Sequence, residues 1–109
     1  MMNYSKYDLI LVRYPFSDLS SSKVRPAIIV NAPHPSQDYF IVPLSSRIQN
    51  LQAGEFVLTD WQNVGLNVPS FVKRGIFTIE KSLIIKKIGN LTPQDINILE
   101  QSLKQWLGL

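Results

Sequence analysis

The sequence predicts a mainly β (α+β) domain, with five to seven short strands in a strongly bent antiparallel sheet or small barrel and one C-terminal helix packed on it. Three observations lead there. Short apolar runs bounded by Pro, Ser, Gly or Asn recur from Leu9 to Ile88, and such length and punctuation belong to strands. Apolar residues at helical spacing occur only after Thr92. The chain has 109 residues, enough for one core, and holds no repeat, low-complexity tract or linker, so residues 1–109 are read as a single domain.

The first strand is Leu9-Ile10-Leu11-Val12, an uninterrupted apolar run that reads as buried and stops at Pro15. Ser17 to Lys23 is polar and serine-rich and reads as a loop. A second strand runs from Arg25 to Val30; Pro26 cannot donate to a ladder, which confines it to the strand's start or to an edge. Ala32 to Ser36 is a loop that places His34 at the surface between two prolines. Tyr39 to Val42 is the third strand, Ser45-Ser46-Arg47 turns the chain, and Glu55 to Leu58 is the fourth. Trp61 to Pro69 is an irregular connection, after which Phe71-Val72, Gly75 to Ile79 and Leu83 to Ile88 complete the sheet.

The helix carries its own punctuation. Thr92 is a good N-cap, Pro93 fits the first helical position, and Asp95 stands three after the cap as in a capping box. Ile96, Leu99, Leu103 and Trp106 or Leu107 form one apolar stripe, and Gly108 supplies the stop. Trp61 and Trp106 are expected in the core.

Composition narrows the chemistry. Hydrophobic residues make up 45% and charged ones 17%, so burial can offset chain entropy and wholesale disorder is not expected. It has no cysteine, which removes disulfides, thiolate zinc sites and cysteine nucleophiles. His34 is the only histidine, so paired imidazoles are unavailable within one chain, and the eight acids form no metal-binding cluster. No metal and no cofactor are expected. No segment approaches the ~20 apolar residues that span a bilayer, and the N-terminus lacks the apolar stretch of a secretory signal; a cytoplasmic protein without a membrane partner is expected.

Eleven basic residues against eight acidic ones give a net charge of +3, compatible with a polyanionic partner. Residues 70–90 hold Lys73, Arg74, Lys81, Lys86 and Lys87 against Glu80 alone, a local +4 that is either an anion-facing surface or a solvated strand face. Arg25 opens a strand behind the serine loop, so the sheet would fix it while its planar five-donor fork faced outward. Lys23 and the hydroxyls of Ser20, Ser21 and Ser22 stand just upstream and could bracket a phosphate. Read without chemistry, the same residues are a strand-edge cation beside a solvated turn. Ser45-Ser46 presents hydroxyls at a strand end, and Ser70 with Lys73 makes a further hydroxyl–cation pair.

The order of these motifs resembles the MazF/PemK family of toxin ribonucleases. The run from Asp8 to Val30 holds a strand, a Pro15-Phe16-Ser17-Asp18 loop and the strand Lys23-Val24-Arg25-Pro26-Ala27; further likeness lies in Val42 to Ser46, Gly65-Leu66, Pro69 to Lys73, Thr78 to Lys81 and Ile88 to Thr92. The resemblance implies a small SH3-like, bent antiparallel barrel that forms a homodimer. It also implies a metal-independent endoribonuclease cutting single-stranded RNA, often messenger RNA, at a short sequence, restrained by a cognate antitoxin with which such toxins bind DNA. The family's catalytic arginine falls on Arg25 and its catalytic threonine on Ser45, which keeps the hydroxyl and loses a methyl. Many relatives carry glycine in the serine loop where this chain has Ser21.

Metal-free cleavage uses the RNA's own 2′-hydroxyl as nucleophile, leaving a 2′,3′-cyclic phosphate and a free 5′-hydroxyl. A bidentate guanidinium suits the dianionic phosphorane, which makes Arg25 the expected source of transition-state stabilisation and Ser45 an orienting group. Phe16, Ser22, Lys23, Ser46, Ser70 and Lys73 are expected to bind RNA, with Phe16 stacking on a base. Two other readings stand beside this one: a toxin of the same fold that inhibits DNA gyrase through the end of its C-terminal helix, and a non-catalytic SH3-like binding module.

Overall fold

The structure is a computed structural model that describes residues 3–14, 23–32, 34 and 37–109. Phe16, Ser22 and the rest of the serine-loop reading lie outside the described residues. Seven antiparallel strands and one helix follow in order: β1 (Asp8–Tyr14), β2 (Lys23–Ile29), β3 (Tyr39–Ser45), β4 (Phe56–Val57), β5 (Phe71–Val72), β6 (Phe77–Ile79), β7 (Ile84–Asn90) and α1 (Pro93–Leu107). A single 3-10 turn, Lys81–Leu83, leads into β7.

The strands pair in the order β4-β5-β3-β2-β1-β7, and β6 lies along β3 beside β5. The path bends without closing: β4 and β7 are its ends. Continuous apolar runs in β1, β2 and β3 are explained by burial on both faces. Leu9, Ile28 and Val42 face a core that includes Leu58, Val64, Val72 and Leu99 of α1. Ile10, Val12, Ala27, Ile29 and Ile41 face a second core with Tyr39, Ile79 and Ile84. Each such side chain contributes about 1.5–3 kcal/mol when taken out of water, so these three strands anchor everything the cleft is built on.

The helix follows its sequence punctuation. The Thr92 hydroxyl accepts the Asp95 N–H at 3.2 Å, Pro93 opens the first turn, and Gly108 ends it at φ 71°. Asp95 departs from a reciprocal capping box. Its Oδ2 accepts instead from the Thr59 N–H (3.0 Å) and hydroxyl (3.1 Å), tying the end of β4 to the helix start. Both tryptophans lie against the helix-side core, and the Trp106 indole donates to the Ala53 carbonyl at 2.9 Å. His34 is exposed, as expected. No helix among the described residues is long and apolar enough to cross a membrane.

Where the sequence reading and the structure differ, the differences are of extent. The fourth strand shrinks to Phe56–Val57 and the sixth to Phe77–Ile79, while the third extends to Ser45. That extension matters most, because β3 changes partner along its length. One edge pairs with β2 through Ile41, Val42 and Pro43, while the other passes from β6, at Tyr39 to Ile41, to β5, where Leu44 and Ser45 pair with Val72 and Phe71.

Candidate nucleic-acid site

The site is made by two strands coming apart. Strands β2 and β3 are in register at Ile29–Ile41, Ile28–Val42 and Ala27–Pro43, and there the ladder ends. The next residue of β2 is Pro26, which has no N–H to offer to β3. On the other edge of β3 the Pro43 carbonyl takes the Lys73 N–H at 2.9 Å, and Leu44 and Ser45 go on pairing with β5. Continued past Pro26, the same register would set Ser45 opposite Arg25 and on the same face. The two residues therefore sit on facing walls of the gap, an open cleft of about 1000 Å³. Pro26 occupies an open edge, as its chemistry demands.

Arg25 is exposed at the cleft and makes no ion pair with a carboxylate among the described residues. Its neighbour on β1 is Tyr14, whose phenol is pushed up to about 12 by burial while the nearby guanidinium pulls in the opposite direction. Burial wins, so Tyr14 stays neutral beside Arg25 throughout the physiological range. Ser45 is fixed differently. Its Oγ accepts the Arg47 N–H at 3.2 Å. With one lone pair engaged by the backbone, the hydroxyl hydrogen is left to point elsewhere, which equips Ser45 as a donor to an anionic oxygen.

The electrostatics of the cleft are one-sided. Lys23, Arg25, Arg47, Lys73, Arg74 and Lys86 line it, six of the chain's eleven cations, and among the described residues no carboxylate does. A groove with one sign of charge between low-dielectric walls concentrates counter-charged ligands. The basic run in residues 70–90 accordingly divides. Lys73, Arg74 and Lys86 face the cleft, Lys87 pairs with the buried Asp8 at 3.2 Å, and Lys81 reaches the Asn3 amide oxygen at 3.4 Å. Lys86 arrives through the β1–β7 register, which places it across from Leu11.

Of the residues singled out by sequence, Arg25, Ser45, Lys23, Ser46, Ser70 and Lys73 all line this cleft. Ser70 does so with only 3% of its surface exposed, and its hydroxyl donates to the Val68 carbonyl at 3.1 Å, a structural bond that leaves little for a ligand. Sequence reasoning passed over Arg47, Tyr14 and Phe77 as site residues, and counted Arg74 only within the basic run of residues 70–90. Arg47 carried a signal, since it follows the two serines directly. Phe77 carried none: it opens β6 and is 40% exposed on the cleft wall.

The opposite wall is the segment 65–68, held against β7 by two close backbone approaches. A Cβ on Gly65, at φ 99°, would stand 2.2 Å from the Ile88 carbonyl oxygen, and one on Gly89 would stand 2.1 Å from the Val64 carbonyl oxygen. Only hydrogen fits at either place. Among the described residues no three His, Asp or Glu side chains converge on a common point.

The family described as PemK-like, MazF-like toxin of type II toxin-antitoxin system matches residues 5–107 of the chain. Among solved structures, Mycobacterium tuberculosis toxin MazF-mt6 superposes with a TM-score of 0.76 at 21% identity, over 94% of this chain and 97% of its own. An endoribonuclease in complex with its cognate antitoxin, from a mycobacterial species, gives 0.79 at 16% identity over 98% and 97%. Another mycobacterial endoribonuclease gives 0.73 at 20% identity over 99% and 95%. Sequence comparison with curated proteins finds no significant match.

Proposed function

The chain belongs to the PemK-like, MazF-like toxins of type II toxin–antitoxin systems, and we propose that within this family it is a metal-independent, sequence-selective endoribonuclease of single-stranded RNA. One observation carries the reading: an exposed arginine, without a carboxylate partner among the described residues, and a serine hydroxyl oriented by its own backbone line one cleft whose described charged residues are all cations. A partner with repeated negative charge and a reactive phosphodiester fits that combination.

The reaction begins with RNA lying along the basic cleft. The 2′-oxygen attacks the adjacent phosphorus, the P–O5′ bond breaks, one proton leaves the 2′-hydroxyl and one reaches the departing 5′-oxygen. Arg25 faces the phosphorane, whose second negative charge its two-pronged fork grips more strongly than it grips the diester. A guanidinium stays charged in proteins, so its part here is charge stabilisation. Ser45 donates to a non-bridging oxygen and orients the phosphate. Metal independence is supported by the donor set, for the cleft wall offers amides, hydroxyls and cations where a divalent ion needs carboxylates.

Two partners follow from the same reading. The solved relative in complex with its cognate antitoxin supports a proteinaceous inhibitor for this chain as well, and family membership supports a homodimer acting in the cytoplasm, where messenger RNA is found. At the helix end, where the gyrase-inhibitor alternative would place its contacts, Trp106 is spent on the core and on Ala53, while Leu107 and Leu109 are exposed.

The test is incubation of the purified protein with a long single-stranded RNA in the presence of a chelator. Breaks with 2′,3′-cyclic phosphate and 5′-hydroxyl ends are expected, and Arg25→Ala is expected to slow them by about a hundredfold or more, the cost of one oxyanion-type donor. Wild-type rates from a folded Arg25→Ala protein would remove the mechanism.

A further inference from the structure

We infer that the side pocket opening off Ser45 seats the nucleobase next to the scissile phosphate, and that Gln49, Asn50 and Gln52 read the edge of that base. The inference rests on the ribonuclease reading above. The pocket has a volume of about 450 Å³ and shares Ser45, Arg47 and Lys73 with the main cleft. A phosphate held at Ser45 therefore delivers its neighbouring base to the pocket's mouth.

The lining changes character across that mouth. The main cleft presents cations, which suit phosphate oxygens, whereas the pocket adds the primary amides of Gln49, Asn50 and Gln52, all on the exposed loop between β3 and β4. An amide offers a donor and an acceptor side by side. A phosphate, which only accepts, gains nothing from that pairing, but the edge of an unstacked base matches it. Arg47 stands at the mouth, where its guanidinium plane is available to stack on the same base.

The loop is built to hold its shape. A single carboxylate, Glu55, ties two walls of the pocket together: Oε1 accepts the Gln52 N–H at 2.6 Å and Oε2 accepts the Arg74 N–H at 2.8 Å. Asn50 lies in the left-handed region at φ 52°, which asparagine tolerates better than other side-chain-bearing residues. Glu55 is thus a positioning residue, and the amides are the reading groups.

The experiment maps cut positions on a long, sequence-diverse RNA for the wild type and for Gln49→Ala/Asn50→Gly/Gln52→Ala. Glycine at residue 50 keeps the left-handed turn while deleting the amide. Base frequencies around the cut are normalised to each protein's own total cleavage. The expected result is a loss of ~10-fold in preference at one position flanking the cut, the worth of one paired base contact, with the other positions and the 2′,3′-cyclic ends retained. The three single variants carry the same test should the triple variant melt early. Unchanged preference at every position overturns the base pocket and leaves the ribonuclease standing. A wild-type protein that cuts no RNA overturns the ribonuclease and the pocket together. Variants that keep the wild-type cut pattern but bind the antitoxin less tightly assign the loop to the inhibitor and overturn the base reading.

Discussion

Arg25 and Ser45 line one cleft where the β2–β3 ladder stops at Pro26, which has no N–H to continue it. Two side-chain properties then separate their roles. On the proposed mechanism Arg25 works through its planar fork, so Arg25→Lys, which keeps the charge and loses the two-pronged geometry, is expected to recover little of the roughly hundredfold loss of Arg25→Ala. Ser45→Thr keeps the hydroxyl and is expected to cut RNA within a few-fold of wild type, while Ser45→Ala removes the donor and slows cutting by roughly tenfold, one hydrogen bond to a charged group. Initial rates at saturating RNA measure all three. Tyr14 gives a different prediction. Its phenol pKa is raised above the ordinary 10.0 to about 12, chiefly by burial, as is that of Tyr7 by burial and by its hydrogen bond to Glu100. The native state thus favours the neutral phenols; their contribution to stability is complete below pH 10 and is lost as pH rises toward 12. Denaturant midpoints are expected to fall across that window, and Tyr14→Phe to flatten part of the fall. That Arg25 and Ser45 come to one cleft was legible in the sequence through motif order. Tyr14 was not, because nothing in a run of alternating residues says that one phenol lies beside a guanidinium from the neighbouring strand.

Among the elements, β7 shows most clearly what a strand does for the cleft. It supplies Lys86, lends Lys87 to the buried Asp8, and at Gly89 accepts the backbone of residue 64 at hydrogen-only distance. Gly89→Ala would bring Cβ to 2.1 Å from the Val64 carbonyl oxygen. Backbone cannot yield as a flexible side chain can, so the substitution is expected to cost about 2–4 kcal/mol and to show as a lower thermal midpoint. The helix offers a milder comparison: Thr92→Ala removes an N-cap and is expected to cost about 1 kcal/mol. A result that reversed this ranking would mean that the 64–65 wall is not fixed by its contact with β7. Element identity was readable where periodicity or capping speaks, as in β1 to β3 and α1. Extents were harder, since β4 and β6 are short pieces whose length is set by the neighbour they happen to meet. The partner change of β3 was invisible for the same reason: Leu44 and Ser45 continue a strand whose second ladder comes from residues 71 and 72, far along the chain.

For the whole molecule the decisive quantity is the distribution of charge, and net charge hides it. A balance of +3 is modest, yet six cations and no described carboxylate share one cleft. They come from β2, β7 and the segments after β3 and β5, so sequence proximity grouped Lys23 with Arg25 and Lys73 and Arg74 with Lys86, and showed neither that the two groups meet nor that Arg47 joins them. If each of the six neutralises one phosphate, the logarithm of RNA affinity should fall with the logarithm of salt at a slope near −4, about −0.7 per contact on single-stranded RNA. Between 50 and 200 mM salt that is a loss of roughly 300-fold. Removing one cation remote from the reacting pair, as in Lys86→Ala, is expected to reduce the slope by about 0.7 and to weaken binding evenly across sequences. It should leave the order of preferred cut sites intact. Substituting the amides of the 49–52 loop should do the reverse, altering the order of sites at an unchanged slope, because amides displace no counterions. Filter binding of a non-cleavable RNA, with a 2′-deoxy sugar before the scissile phosphate, gives the slope without interference from turnover. A slope near −1 would mean that most of the six charges look into solvent, and the cleft would then be a basic surface with no strand lying in it.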